Sequence, residues 1–135
     1  LPPLGPRLRA LIALDVSAGM LAEARRRRQA LDGVLLLRGS GLDLGALRDG
    51  IADLVYAVDS FPYLVAAGVA ATHLAEARRV LRPGGALLIL NYSYRDDLEA
   101  ARAELSAAPG FGVVENGSAP FRHWDGRCFL LERLS

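Results

Sequence analysis

Short apolar runs alternate with helix-forming stretches along this chain, and that alternation limits it to few folds. Leu8 to Leu14, Val34 to Leu37, Ile51 to Val58 and Ala86 to Leu90 have the length and composition of strands buried in a parallel sheet. Helix signals lie between them. Ser17 is placed to cap a helix whose apolar side carries Met20, Leu21, Ala24 and Leu31. A short helix is expected from Asp43 to Asp49, stopped by Gly50. A longer one is expected from Ala66 to Leu81, because Ala70, Leu74, Ala77 and Leu81 repeat at helical spacing. Pro83-Gly84-Gly85 closes it, and a further helix is expected from Asp96 to Ala108. Phe111 to Glu115 and Cys128 to Leu134 read as strands with no helix between them, so they are expected to pair antiparallel. The order predicts an α/β fold: a mostly parallel sheet, helices on both faces, and an antiparallel pair at the C-terminal end.

In such a sheet, function gathers where strands end. Ala13-Leu14-Asp15-Val16-Ser17 brings an apolar run to a single carboxylate immediately before a helix start. A carboxylate there can accept two hydrogen bonds from the vicinal hydroxyls of a ribose. The plainer reading is that Asp15 only caps the following helix.

The 135 residues suffice for one domain, expected over 1–135. Sixteen basic residues, all arginine, stand against fifteen acidic ones, for a net charge of +1. That balance gives no support to broad electrostatic binding, so neither nucleic acid nor a membrane surface is expected as partner. Arg25 to Arg28 read as a solvated helix surface, since the run covers every side of one turn. Cys128 is the single cysteine, so no internal disulfide forms and a reducing, cytoplasmic setting is expected. With no base partner nearby it reads as inert. His73 and His123 bring no metal spacing, and no metal site is expected.

Four segments, in order, resemble the class I S-adenosylmethionine-dependent methyltransferases. Leu14-Asp15-Val16-Ser17-Ala18-Gly19-Met20-Leu21 resembles the family's second strand and next helix. Arg38-Gly39-Ser40-Gly41-Leu42-Asp43 resembles the loop after the third strand, and Ala52 to Ser60 the fourth strand with its exit. Glu76 to Ile89, with Leu81-Arg82-Pro83-Gly84-Gly85 inside it, resembles the entry to the fifth strand. The resemblance implies a Rossmann-like fold with S-adenosyl-L-methionine as cofactor. It assigns the cofactor to Asp15, Val16, Met20, Ser40, Gly41, Leu42, Val58 and Asp59. It opens Ser60, Phe61, Tyr63, Tyr92 and Arg95 toward an acceptor, expected to be a small molecule.

Two departures accompany it. The family's glycine-rich loop, of Gly-x-Gly-x-Gly type, has no counterpart, because Gly5 stands alone among prolines. The family's first strand is therefore expected to be missing, with the chain starting near the end of the first helix. Ser40 stands where many members carry an Asp, so any bond to an adenine amino group loses its charge assistance. Weak or absent turnover by the isolated chain is expected, as is self-association through exposed sheet edges. Two other readings stay open on the residues alone: a nicotinamide-dependent oxidoreductase, whose sheet also ends its second strand in an acid, and a non-catalytic fragment or pairing module.

Overall fold

The computed structural model describes residues 8–27, 33–93 and 97–135, and these fall into two compact units that meet in sequence at Gly41 and Leu42. The described strands form two sheets.

In the first unit, β1 (Leu11–Asp15) pairs in parallel with β2 (Val34–Arg38), in a register running from Leu11 opposite Val34 to Asp15 opposite Arg38. Between them stands α1 (Ala18–Arg27). Its start is built by two short side chains. The Ser17 N–H donates to Asp15 Oδ1 at 2.8 Å, and Ser17 Oγ accepts from the Met20 N–H at 3.2 Å. Leu21 is the buried residue of this helix, whereas Met20, counted on the apolar side from its spacing, is 62% exposed. Leu31 lies outside the described residues. Arg26 and Arg27 both bond Glu23, as befits a solvated helix surface.

The second unit has strand order β3-β4-β6-β5. β3 (Ala52–Val58) and β4 (Leu81–Leu90) run parallel, while β6 (Cys128–Arg133) runs antiparallel to β4 and to β5 (Phe111–Ser118). The helices are α2 (Phe61–Ala66), α3 (Ala70–Val80) and α4 (Leu98–Ser106). One cluster joins Phe61 of α2, Leu74 and Ala77 of α3, and Ala101 and Leu105 of α4 to Leu87, Ile89, Phe129 and Leu131 of the sheet. All three helices therefore cover the same sheet face. Burying each of those leucines contributes roughly 1.5–3 kcal/mol. The opposite face, by strand alternation, presents Leu54, Tyr56 and Val58, each about half exposed.

Three expected elements changed. No helix forms at 43–49; the segment is a series of turns. Asp43 Oδ1 accepts from the Gly45 N–H at 2.9 Å, and the Leu44 and Leu47 carbonyls accept from Arg79 at 3.1 and 2.8 Å. Bonds a helix would have made internally are thus taken by side chains. The expected helix over 66–81 begins later, as α3 at Ala70, after a separate helix, α2, that ends at Ala66. The chain turns at Gly68, whose φ of 71° is left-handed and suits glycine. Leu81 keeps its place in the core but opens β4, so Pro83-Gly84-Gly85 interrupts a strand instead of ending a helix.

Candidate cofactor and acceptor sites

Asp15 stands at the carboxyl end of β1, half-buried, with Oδ1 engaged by the Ser17 N–H. The helix-capping reading of this residue is therefore real. It does not exhaust the group, because an ionised carboxylate offers about four acceptor positions. Val16 and Met20 expose apolar surface next in the chain. The 39–41 loop lies against Val16: a Cβ on Gly41 would come within 2.7 Å of Val16 Cγ1, and the φ of 79° there also suits glycine. The Arg38 Nε–H donates to the Val16 carbonyl at 3.3 Å, which ties the two strand exits together. Ser40 is exposed, and so is Leu42, the first residue of the second unit.

In the second unit β3 and β4 end alike. Asp59 follows β3 with φ 52° and Asn91 follows β4 with φ 67°. The Asn91 Nδ2–H donates to Asp59 Oδ1 at 2.7 Å. The Asp59 N–H donates to the Leu90 carbonyl at 3.0 Å, and the Asn91 N–H to the Arg127 carbonyl at 2.7 Å. Ser60 Oγ donates to the Val58 carbonyl at 3.3 Å, and Val58 is half exposed.

The aromatic residues divide. Phe61 and Tyr92 are buried in the core, their rings 5.5 Å apart, with Phe129 6.1 Å from Tyr92. The Tyr92 hydroxyl donates to Glu104, and burial, reinforced by that carboxylate, pushes its pKa well above the ordinary phenol range. Tyr63 is exposed. Arg95 lies outside the described residues.

A hollow of about 160 Å³ opens beside Tyr92, lined by Asn91, Ser93, Asp97, Asp125 and Arg127 among others. A neighbouring hollow shares Tyr92, Ser93 and Asp97 and adds Val65 and Glu104. Phe61 lines neither, while Tyr92 lines both. Asp97 doubles as the N-cap of α4, accepting from the Ala100 N–H at 3.1 Å. Asp97 and Arg127 escaped the sequence reading, which gave Asn91 and Asp125 no binding role. Asn91 left one signal, an asparagine directly after an apolar strand, the residue type that tolerates a left-handed turn. Among the described residues no group of three His, Cys, Asp or Glu is placed to hold a metal, and no helix is long and apolar enough to cross a membrane.

The family model described as a methyltransferase domain matches residues 1–89, the stretch from before β1 to near the end of β4. The chain belongs to that family. It is a class I S-adenosylmethionine-dependent methyltransferase, and S-adenosylmethionine is its cofactor, which removes the nicotinamide reading. Solved structures carry the same fold. An S-adenosylmethionine-dependent methyltransferase from Aquifex aeolicus is 22% identical, with TM-score 0.65, over 92% of this chain and 68% of that one. An rRNA methylase from Streptococcus thermophilus is 16% identical, with TM-score 0.70, over 98% of this chain and 78% of that one. A chain from the complex of the Haloferax volcanii Trm112 methyltransferase activator is 20% identical, with TM-score 0.73, over 94% of this chain and 73% of that one. No curated protein sequence matches the chain.

These structures overturn the expectation about partners. The methyltransferase fold serves an rRNA methylase in one and sits in a protein complex in another, so nucleic acid and protein are open as partners. A net charge near zero sums over the whole chain and says nothing of local patches, which is why it cannot exclude either.

Proposed function

We propose that residues 1–135 act as one methyltransferase domain in which Asp15 accepts hydrogen bonds from the ribose hydroxyls of S-adenosylmethionine. Val16 and Met20 offer apolar contact to the adenine, and Ser40, Gly41 and Leu42 frame its edge. Val58 contributes apolar contact at the β3 exit. Asp59 faces the cofactor's positive charge, for which an exposed carboxylate at a strand exit is suited. The cofactor supplies an already activated methyl group. The chain's own task is then to hold a nucleophile in line and keep water out.

The hollow beside Tyr92 is the acceptor's place in this reading. It holds about 160 Å³ and its neighbour, which shares Tyr92, Ser93 and Asp97, about 650 Å³, so together they offer room for an acceptor with its reacting end beside Tyr92. Ser93 and the carboxylates of Asp97 and Asp125 supply acceptors for a nucleophile's proton. Ser60 and Tyr63 stand at the start of α2, from which they reach the acceptor's outer part. The isolated chain turns over slowly, because among the described strands β1 pairs only with β2 and β3 only with β4, which leaves an open ladder on each.

The observation that carries the reading is the carboxylate of Asp15 at the end of β1, followed directly by the exposed Val16. Isothermal titration of the chain with S-adenosylmethionine tests it. Asp15→Ala is expected to weaken binding by roughly 1.5–3 kcal/mol, the worth of hydrogen bonds to a charged group. Ser17→Ala, which removes only the helix cap, is expected to leave affinity within about twofold. Equal affinity of the Asp15→Ala and unsubstituted chains refutes the assignment.

A further inference from the structure

We propose that Asn91 is a positioning residue whose amide fixes the direction of the Asp59 carboxylate toward the methyl donor. The proposal rests on the reading that Asp59 faces the cofactor's positive charge.

The two neighbouring parallel strands β3 and β4 each give way to a non-glycine residue with left-handed backbone, φ 52° at Asp59 and 67° at Asn91. A turn alone needs no side chain, and glycine adopts this conformation without steric cost, as Gly68 does at φ 71°. What aspartate and asparagine add is the contact between them, with the Asn91 Nδ2–H 2.7 Å from Asp59 Oδ1. Left-handed residues other than glycine are uncommon, and their recurrence at two neighbouring strand exits is a pointer to function.

The two partners are unequally placed. Asp59 is exposed, so nothing in its burial restricts its rotamers. Asn91 is half-buried, lines the hollow beside Tyr92, and is anchored through its own N–H to the Arg127 carbonyl at 2.7 Å. The Asp59 N–H is in turn bound to the Leu90 carbonyl, directly before Asn91. The half-buried residue thus orients the exposed one. Its amide occupies Oδ1 and leaves Oδ2 for a ligand.

The test is a double-mutant cycle with Asp59→Gly, Asn91→Gly and the double variant, each titrated with S-adenosylmethionine and melted by circular dichroism. Glycine keeps the left-handed backbone without strain, so each substitution removes the side chain without forcing a new turn, while loosening the unfolded backbone. Asp59→Gly is expected to weaken binding about tenfold or more, and Asn91→Gly about three- to tenfold, as for a charge-assisted hydrogen bond partly screened by water. The double variant is expected to bind no worse than Asp59→Gly alone, because Asn91 acts through the carboxylate. A purely structural role for Asn91 would lower the melting temperature and subtract again from affinity in the double variant. Losses that add in this way overturn the proposal. So does an Asn91→Gly chain that binds like the unsubstituted one while Asp59→Gly does not, an outcome that spares the reading of Asp59. Unchanged affinity in Asp59→Gly defeats the reading itself, and the proposal with it.

Discussion

Replacing Arg79 by methionine tests whether the turns over 43–49 are held from outside. The guanidinium donates to the Leu44 carbonyl at 3.1 Å, the Leu47 carbonyl at 2.8 Å, Asp49 at 2.6 Å, and both oxygens of Glu76 at 2.7 and 2.8 Å. It is 28% exposed, so water screens it only in part. Each bond to a main-chain carbonyl is worth about 0.5–1 kcal/mol after exchange with water. The half-buried Glu76 loses its main partner, at about 1 kcal/mol, while Asp49, 81% exposed, adds next to nothing. The total is about 2–3 kcal/mol. In a chain of this size that lowers the melting temperature by roughly 6–12 °C. Thermal melts and urea titrations read the loss, and limited proteolysis at 43–49 locates it. Arg79→Lys keeps the charge without the fork and is expected to restore less than half. The segment begins just after Leu42, so affinity for S-adenosylmethionine is expected to fall in step. A methionine variant melting within about 2 °C of the parent, well inside the range for a surface change, refutes the tether.

Three more outcomes follow from titrating groups. Arg79 holds the Glu76 carboxyl below its ordinary value of 4.5. The stability Glu76 contributes is present above that value and is lost as pH falls through the lower folded one, so Glu76→Gln is expected to flatten the decline in urea midpoints on acidification below about pH 4.5. Tyr92 is raised in the folded state, so the chain is expected to lose stability as pH rises above the ordinary phenol value of 10.0. Tyr92→Phe is expected to remove that alkaline loss, and the difference between ultraviolet titrations of the two chains to show a phenol ionising above the ordinary range. Burial, with Glu115 nearby, pushes the Cys128 thiol above 9.0, so alkylation at neutral pH is expected to be slow until urea unfolds the chain. Rapid labelling of the folded chain would contradict the burial.

β2 and β6 were legible as apolar runs and fall within a residue of the sequence reading at each end, whereas β5 runs on through the polar Asn116 to Ser118, past the expected end at Glu115. Ser17 as a helix cap was legible too, since that chemistry is local. What failed was long-range. The carbonyls at 44 and 47 are claimed by an arginine more than thirty residues on, which no local pattern around Asp43 announces. Leu81 satisfies helical spacing and core burial at once, so the pattern ran past the true helix end at Val80. The aromatics after β3 and β4 stood at the expected exits, but composition could not tell that Phe61 and Tyr92 stack inward on each other. Asn91 joined the site through the hollow it lines and through its contact with Asp59, a pairing across strands 32 positions apart.

The helices of the second unit all shelter one side of its sheet, and Leu54, Tyr56 and Val58 meet solvent on the other. Fluorescent dyes that brighten on greasy surfaces are commonly taken to report loosened, molten states. Here the native fold itself presents such a surface, so brightening at room temperature would be a property of the intact molecule. Unfolding of this chain is better followed from within, by the environment of the Phe61, Tyr92 and Phe129 rings.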